Sequence, residues 1–219
     1  MPILYSLARD ADALLRGRAP ADKAGLHRCL ALGVLAAMFY GAVMGTFGLT
    51  PERWPQVFYS SVKVPLLSVI SLFIALPAAY LFFALTGLGE DFSAALRALL
   101  LAQSAQGMVL ASLCPFTLLL YYSTIHYPTA VLANVIIFSV AGVAGLYRLK
   151  VAFAPLVKRD ARNKQLLRGW LFLTAFIGIQ SSWMMRPFVG NPNLHPVFVR
   201  TEGWSNAYEQ IWHLMVGNF

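Results

Sequence analysis

Long uninterrupted runs of apolar residues alternate with short polar stretches along this chain. Five blocks stand out, at 29–48, 64–87, 98–122, 129–149 and 169–185. Each is near the length of about 20 apolar residues that a helix needs to cross a hydrocarbon core of about 30 Å. None contains Asp, Glu or Lys, and Arg148 only closes the fourth. The runs are continuous rather than alternating, which predicts helices and not barrel strands. The pattern therefore predicts an all-α, polytopic membrane protein with a segment 1–28, a five-helix transmembrane domain over 29–186, and a segment 187–219. The first block begins late, after a charged segment of 28 residues with no convincing small-residue cleavage site, so it reads as a span and not a signal peptide.

The two ends carry a different periodicity. Ile3, Leu4, Leu7, Ala8, Ala11, Leu14 and Leu15 recur at helical spacing with Arg9, Asp10, Asp12 and Arg16 between them. This predicts an amphipathic helix, either lying in the lipid interface or docking a partner through Leu4, Leu7 and Ala11. Trp204, Tyr208, Ile211, Trp212 and Met215 fall on one face of a second such helix. Trp and Tyr favour the membrane–water boundary, and Trp204 and Trp212 are its contact candidates.

Composition agrees with the pattern. Of 219 residues, 58% are hydrophobic and 12% charged, with a mean hydropathy of +0.64. A soluble domain carries about 25% charged residues. A soluble globular enzyme, a disordered tail and a fibrous repeat are all excluded. Cys29 and Cys114 lie inside apolar blocks, so neither a disulfide framework nor a cysteine zinc knuckle is expected.

The net charge of +8 would suggest nucleic acid in a soluble protein. Sorted by side, the charges say something else. Arg9, Arg16, Arg18, Lys23, Arg28, Arg97, Arg148, Lys150, Lys158, Arg159, Arg162, Lys164 and Arg168 fall on one side of the spans; Arg53, Lys63, Arg186 and Arg200 fall on the other. The positive-inside rule then predicts a cytoplasmic N-terminus and an external C-terminus. The excess is a topology signal that also attracts anionic lipid headgroups, and nucleic acid is not an expected partner.

Candidate chemistry is sparse. The polar groups within the blocks are amides and hydroxyls: Gln103, Ser104, Gln106, Ser112, Asn134, Gln180, Ser181 and Ser182. Gln103 and Gln106 share a helix face. Such amides join neighbouring helices or line a path for a solute. Gly41/Gly45 and Ala141/Gly145 are small-xxx-small steps for close helix contact, and Pro77 should kink its span. The link 150–168 reads as a continuation of the fourth helix that breaks near Pro155. His27, His126, His195 and His213 show no paired spacing for a metal, and no phosphate loop, nucleophile elbow or haem motif is present. No catalytic set, metal or cofactor is expected. The stretch 183–192, with Trp183, Arg186, Pro187, Phe188, Gly190 and Pro192, predicts a helix stop followed by a rigid return turn. There Arg186 can reach lipid phosphates, a partner or the helix's last carbonyls.

Three further features are shared with a known family. Lys63-Val64-Pro65-Leu66-Leu67 enters the second span, Ala111-Ser112-Leu113-Cys114-Pro115 marks a step in the third, and the Trp-x-x-Arg-Pro-Phe-aliphatic-Gly-x-Pro stretch ends the fifth. Over about residues 27–192 the chain resembles Yip-type membrane proteins, in particular a bacterial branch. The resemblance implies five helices and a cytoplasmic N-terminus, and supplies no catalytic residue. Eukaryotic members bind small GTPases in vesicle traffic.

The sequence thus predicts a non-enzymatic protein of the bacterial inner membrane, acting as scaffold, assembly factor or accessory subunit of a larger membrane complex. Membrane lipids and other membrane proteins are its expected partners. The alternative is a small transporter or channel component with a path lined by intramembrane amides.

Overall fold

The computed structural model describes residues 9, 12–13, 23–191 and 195–199. Within them the chain forms six helices: α1 (Lys23–Gly45), α2 (Pro55–Leu85), α3 (Phe92–Ser112), α4 (Cys114–Ser123), α5 (Tyr127–Arg159) and α6 (Arg162–Met184). Four helical segments are long and apolar enough to cross a membrane: Lys23–Gly45, Pro51–Leu85, Gly89–Ser112 and Tyr127–Arg159. The fold is all-α, as the apolar runs require, and compatible with integration into a membrane.

The helix boundaries follow local chemistry. Prolines open α2, α4 and α5, where the missing N–H has no intrahelical partner to lose. α2 ends in a Schellman arrangement: Leu88 N–H bonds the Phe83 carbonyl and Gly87 N–H bonds that of Ala84, with Gly87 at φ +73°.

Several boundaries differ from the sequence expectation. The third block is not one helix, since the chain breaks at Leu113 between α3 and α4. Pro115 removes the N–H that would bond the Ala111 carbonyl, and its ring crowds that carbonyl. The fourth helix does not break near Pro155 but runs through it to Arg159. The second begins at Pro55, so Lys63 lies inside a helix rather than in a link. The fifth block is helical, but α6 carries Thr174, Gln180, Ser181 and Ser182 and is not among the four apolar segments. Leu4, Leu7, Ala11, Trp204 and Trp212, the contact candidates on the two expected end helices, lie outside the described residues, and Arg9, Asp12 and Ala13 are helical.

Around the bundle the neighbours run α6–α2–α1–α3–α5, and α5 touches α6 over a short stretch. Small residues set the closest contacts. A Cβ on Gly33 would collide with Ser104, one on Gly107 with the Gly33 carbonyl, and ones on Gly41 and Gly45 with the backbone of α2 at Ser60 and Val57. The glycine step on α1 is therefore an internal α1–α2 contact. Gly145, from the second step, faces Gln106 and Ala102 of α3.

Two apolar clusters fill the interior. One, around Tyr40, Phe47, Leu110 and Ala130, joins α1, α3, α4 and α5; the other, around Phe83, Leu99, Phe153 and Trp170, joins α2, α3, α5 and α6. The outer surface is also apolar: Phe73 (78% exposed), Leu85, Leu119, Val143 and Phe172 all face outward. In water such a surface would associate; in a bilayer it is the contact with lipid tails.

Candidate functional site

Four polar constellations interrupt this apolar bundle. The largest stands where α2 begins. Arg53, Gln56, Ser60 and Lys63 recur at three- and four-residue steps, which places them on one helix face. That face binds the main chain of the return segment after α6. Lys63 Nζ donates to the Pro187 carbonyl at 2.6 Å. Ser60 Oγ and Gln56 Nε2 both donate to the Phe188 carbonyl, and Arg53 donates to those of Asn191 and Gly48. Lys63 is completely buried, and its ammonium also lies 5.1 Å from the Phe198 ring and 5.8 Å from that of Phe188. A buried ammonium needs such partners, because desolvation costs several kcal/mol per ion.

The second constellation is a relay across three helices. Tyr40 on α1 donates to Asn134 Oδ1 at 2.8 Å, and Asn134 Nδ2 donates to Tyr121 Oη and to the Ala130 carbonyl, each at 2.7 Å. Tyr121 donates in turn to the Met44 carbonyl at 3.3 Å. Both ends of the Asn134 amide are engaged, so this residue joins helices.

The third lies at the opposite end, at the α5–α6 elbow. Asp91 is buried before α3, with Arg159 on one carboxylate oxygen at 2.7 Å and Asn163 on the other at 2.9 Å. Asp160, between the two helices, accepts from Arg162 with both oxygens, which holds its carboxyl below the usual range. A cleft of about 450 Å³ opens beside them, lined by Gly87, Glu90, Asp91, Arg159 and Asp160. Its charges are already paired, so it presents no strong field to a ligand.

The fourth is a single side chain. Arg148 on α5 is 3% exposed, and its three guanidinium nitrogens have no hydrogen-bond partner among the described residues. It lies beside Cys29 of α1, the ionisable neighbour it feels electrostatically.

The sequence candidates distribute unevenly over these sites. Asn134 is the centre of the relay. Gln106 faces Gly145 on α5, and Gln103, three residues before it on α3, is half-buried. Gln180 is half-buried on α6. Arg186 lies over the Trp183 ring at 3.7 Å, just beyond the end of α6. Lys63, Arg148, Tyr40, Asp91 and Asn163 were not among the candidates. In the sequence argument Arg148 is a topology charge at the end of a block, and Lys63 a topology charge that also opens the motif leading into the second span. The polar stripe from Arg53 to Lys63 is the signal that reveals the first site, but it lies in a stretch punctuated by Pro51 and Pro55 and reads as a loop.

No group of three or more His, Cys, Asp or Glu side chains is placed to hold a metal ion among the described residues. The chain was also compared with known proteins: no family model, no curated protein and no solved structure matches it.

Proposed function

We propose that this chain is a non-enzymatic integral membrane protein that serves as scaffold, assembly factor or accessory subunit of a larger membrane complex. In this reading it has five spans arranged as in the Yip-type proteins whose motifs it resembles. α3 and α4 together make one broken span. α6, with 23 residues and about 34 Å of length, makes the fifth. An odd number of spans and the basic α5–α6 elbow put the N-terminus in the cytoplasm and the C-terminus outside, in a bacterial inner membrane.

The observation that carries the reading is where the interior polar groups go. Asn134, Tyr40 and Tyr121 bond one another across helices, and Gln56, Ser60 and Lys63 bond the return segment. These groups hold a packed bundle together. What the bundle offers outward is an apolar surface for lipid and neighbouring helices. A solute path would instead need Asn134 to face a cavity with a free amide.

Native-membrane extraction in mild detergent, followed by identification of whatever co-purifies, tests the reading. A stable companion protein in stoichiometric amount is the expected result. Migration of the chain alone removes the main support. A flux across reconstituted vesicles that Gln106→Leu or Gln180→Leu abolishes, with folding retained, establishes the transporter alternative.

A further inference from the structure

A guanidinium carries a permanent charge and five N–H donors in a planar fork. Removed from water, it is stable only beside an anion or a set of acceptors. Arg148 has neither among the described residues, although it is 97% buried by the complement of its 3% exposure. The surroundings deepen the contrast. Cys29, Leu101 and Ala105 pack as one small apolar cluster, with Leu26 and Met108 against it. Arg97 stands one turn before Leu101 on α3 and Arg28 precedes Cys29 on α1, each with interactions of its own. Asp91 is held by Arg159 and Asn163, Asp160 by Arg162 and Glu90 stands beside Arg159, and none of the three guanidinium nitrogens of Arg148 bonds an acidic side chain.

The level of Arg148 in the bundle indicates where an anion comes from. It lies about 21 residues, or about 32 Å, along α5 from Tyr127. That distance matches the thickness of a hydrocarbon core, about 30 Å. A span that enters near Tyr127 thus reaches the opposite plane of phosphates near Arg148. Tyr147 (67% exposed) and Lys150, its neighbours in sequence, face outward at the same level, as interfacial aromatic and basic residues do.

We propose that Arg148 anchors a binding site for a phosphate group, carried by an anionic phospholipid whose headgroup enters between the first turns of α1 and the middle of α5. The guanidinium fork takes two phosphate oxygens at once. The inference needs only that the bundle sits in a bilayer, and is independent of the scaffold role.

The full chain is reconstituted into nanodiscs of phosphatidylcholine alone, of phosphatidylcholine with phosphatidylglycerol, and of phosphatidylcholine with added inorganic phosphate. Retained lipid is counted by native mass spectrometry, and thermal stability is followed in each. Wild type is expected to retain phosphatidylglycerol over phosphatidylcholine by about tenfold, with a raised melting temperature. Arg148→Gln abolishes the preference, Arg148→Lys reduces it because the ammonium lacks the fork, and Lys150→Gln, an exposed cation close by, leaves most of it. If inorganic phosphate alone gives the same Arg148-dependent stabilisation, the site stands and its source is the free ion. The proposal is overturned if the preference is equal in wild type and Arg148→Gln, or if Lys150→Gln removes as much of it. It is equally overturned if Cys29→Ala abolishes the Arg148 dependence without any lipid, which would make a Cys29 thiolate the counter-ion. Should Arg148→Gln fail to fold, Arg148→Lys and Lys150→Gln decide the question between them.

Discussion

Lys63 and Pro187, 124 positions apart, are joined by a 2.6 Å hydrogen bond from a completely buried ammonium to a main-chain carbonyl. The bond ties the first turns of α2 to the segment that follows α6. With Ser60 and Gln56 on the Phe188 carbonyl, it makes a side-chain ladder whose hydrogen bonds to that segment all go to backbone carbonyls. The return segment is thus held by its shape and not by the identity of most of its residues.

Loss of the ammonium should be felt at both ends of the bond. Lys63→Ala leaves the Pro187 carbonyl buried without its donor and is expected to cost about 2–3 kcal/mol, the range for hydrogen bonds to charged groups. Thermal unfolding in detergent measures the loss, and limited proteolysis should show new cleavage near residues 186–191. Ser60→Ala, a neutral bond with Gln56 still present, should cost about 1 kcal/mol.

Asn134 offers a second test, of helix joining. Asn134→Leu removes bonds to Tyr40 and Tyr121 at once and should destabilise by about 1–2 kcal/mol, within the range for polar contacts between membrane helices. Tyr40→Phe should cost less. The two changes together should cost less than their sum, since they remove one shared bond. Additive losses in a double-mutant cycle would contradict the relay.

The glycines separate close packing from mere presence. Gly107→Val and Gly33→Leu place atoms where the Gly33 carbonyl and Ser104 already stand, so α1 and α3 must part, at a cost of about 3 kcal/mol or more. Gly142, which has open space around it, should accept alanine with little change or a small gain in stability. Retained fluorescence of a fused reporter after heating ranks the three variants.

The elbow should be sensitive to acid. The Arg162 guanidinium holds the Asp160 carboxyl below its ordinary value near 4. A depressed carboxyl stabilises the folded state above that ordinary value, and the contribution fades as pH falls through the lower, folded value. Hydrogen exchange at the elbow is therefore expected to quicken below about pH 4. Asp160→Asn should lose that pH step, and Arg162→Gln should move it upward. The group is partly exposed and bonded within its own turn, so the effect is local to the α5–α6 turn.

Much of the helical architecture is legible in the apolar runs, because burying backbone in hydrocarbon leaves few options besides helix. The ends of the runs are less so. Lys63 and Arg148 sit where the apolar blocks stop, and a hydropathy pattern reads a charge there as an edge. In the structure both helices continue, and both cations are inside. Their burial depends on a return segment and a neighbouring helix far away in sequence, which no local window contains. Asn134 was legible as a helix-joining amide, but its partners Tyr40 and Tyr121 were not, since tyrosine in an apolar run looks like packing. Pro155 misled in the other direction: its ring faces outward from α5, and the helix absorbs the missing bond. Pro115, with Leu113 and the α4 turn beyond it, ends one.

The order of synthesis gives the Lys63–Pro187 bond one more meaning. The α1–α2 hairpin leaves the ribosome long before residue 187 exists. At about 5–20 residues per second, the intervening 124 residues take roughly 6–25 s. Throughout that interval the Lys63 ammonium lacks its final acceptor and must stay near water or headgroups. In a bilayer the hairpin is then expected to reach its full depth only when the last helix has arrived, with the return segment as the closing stroke.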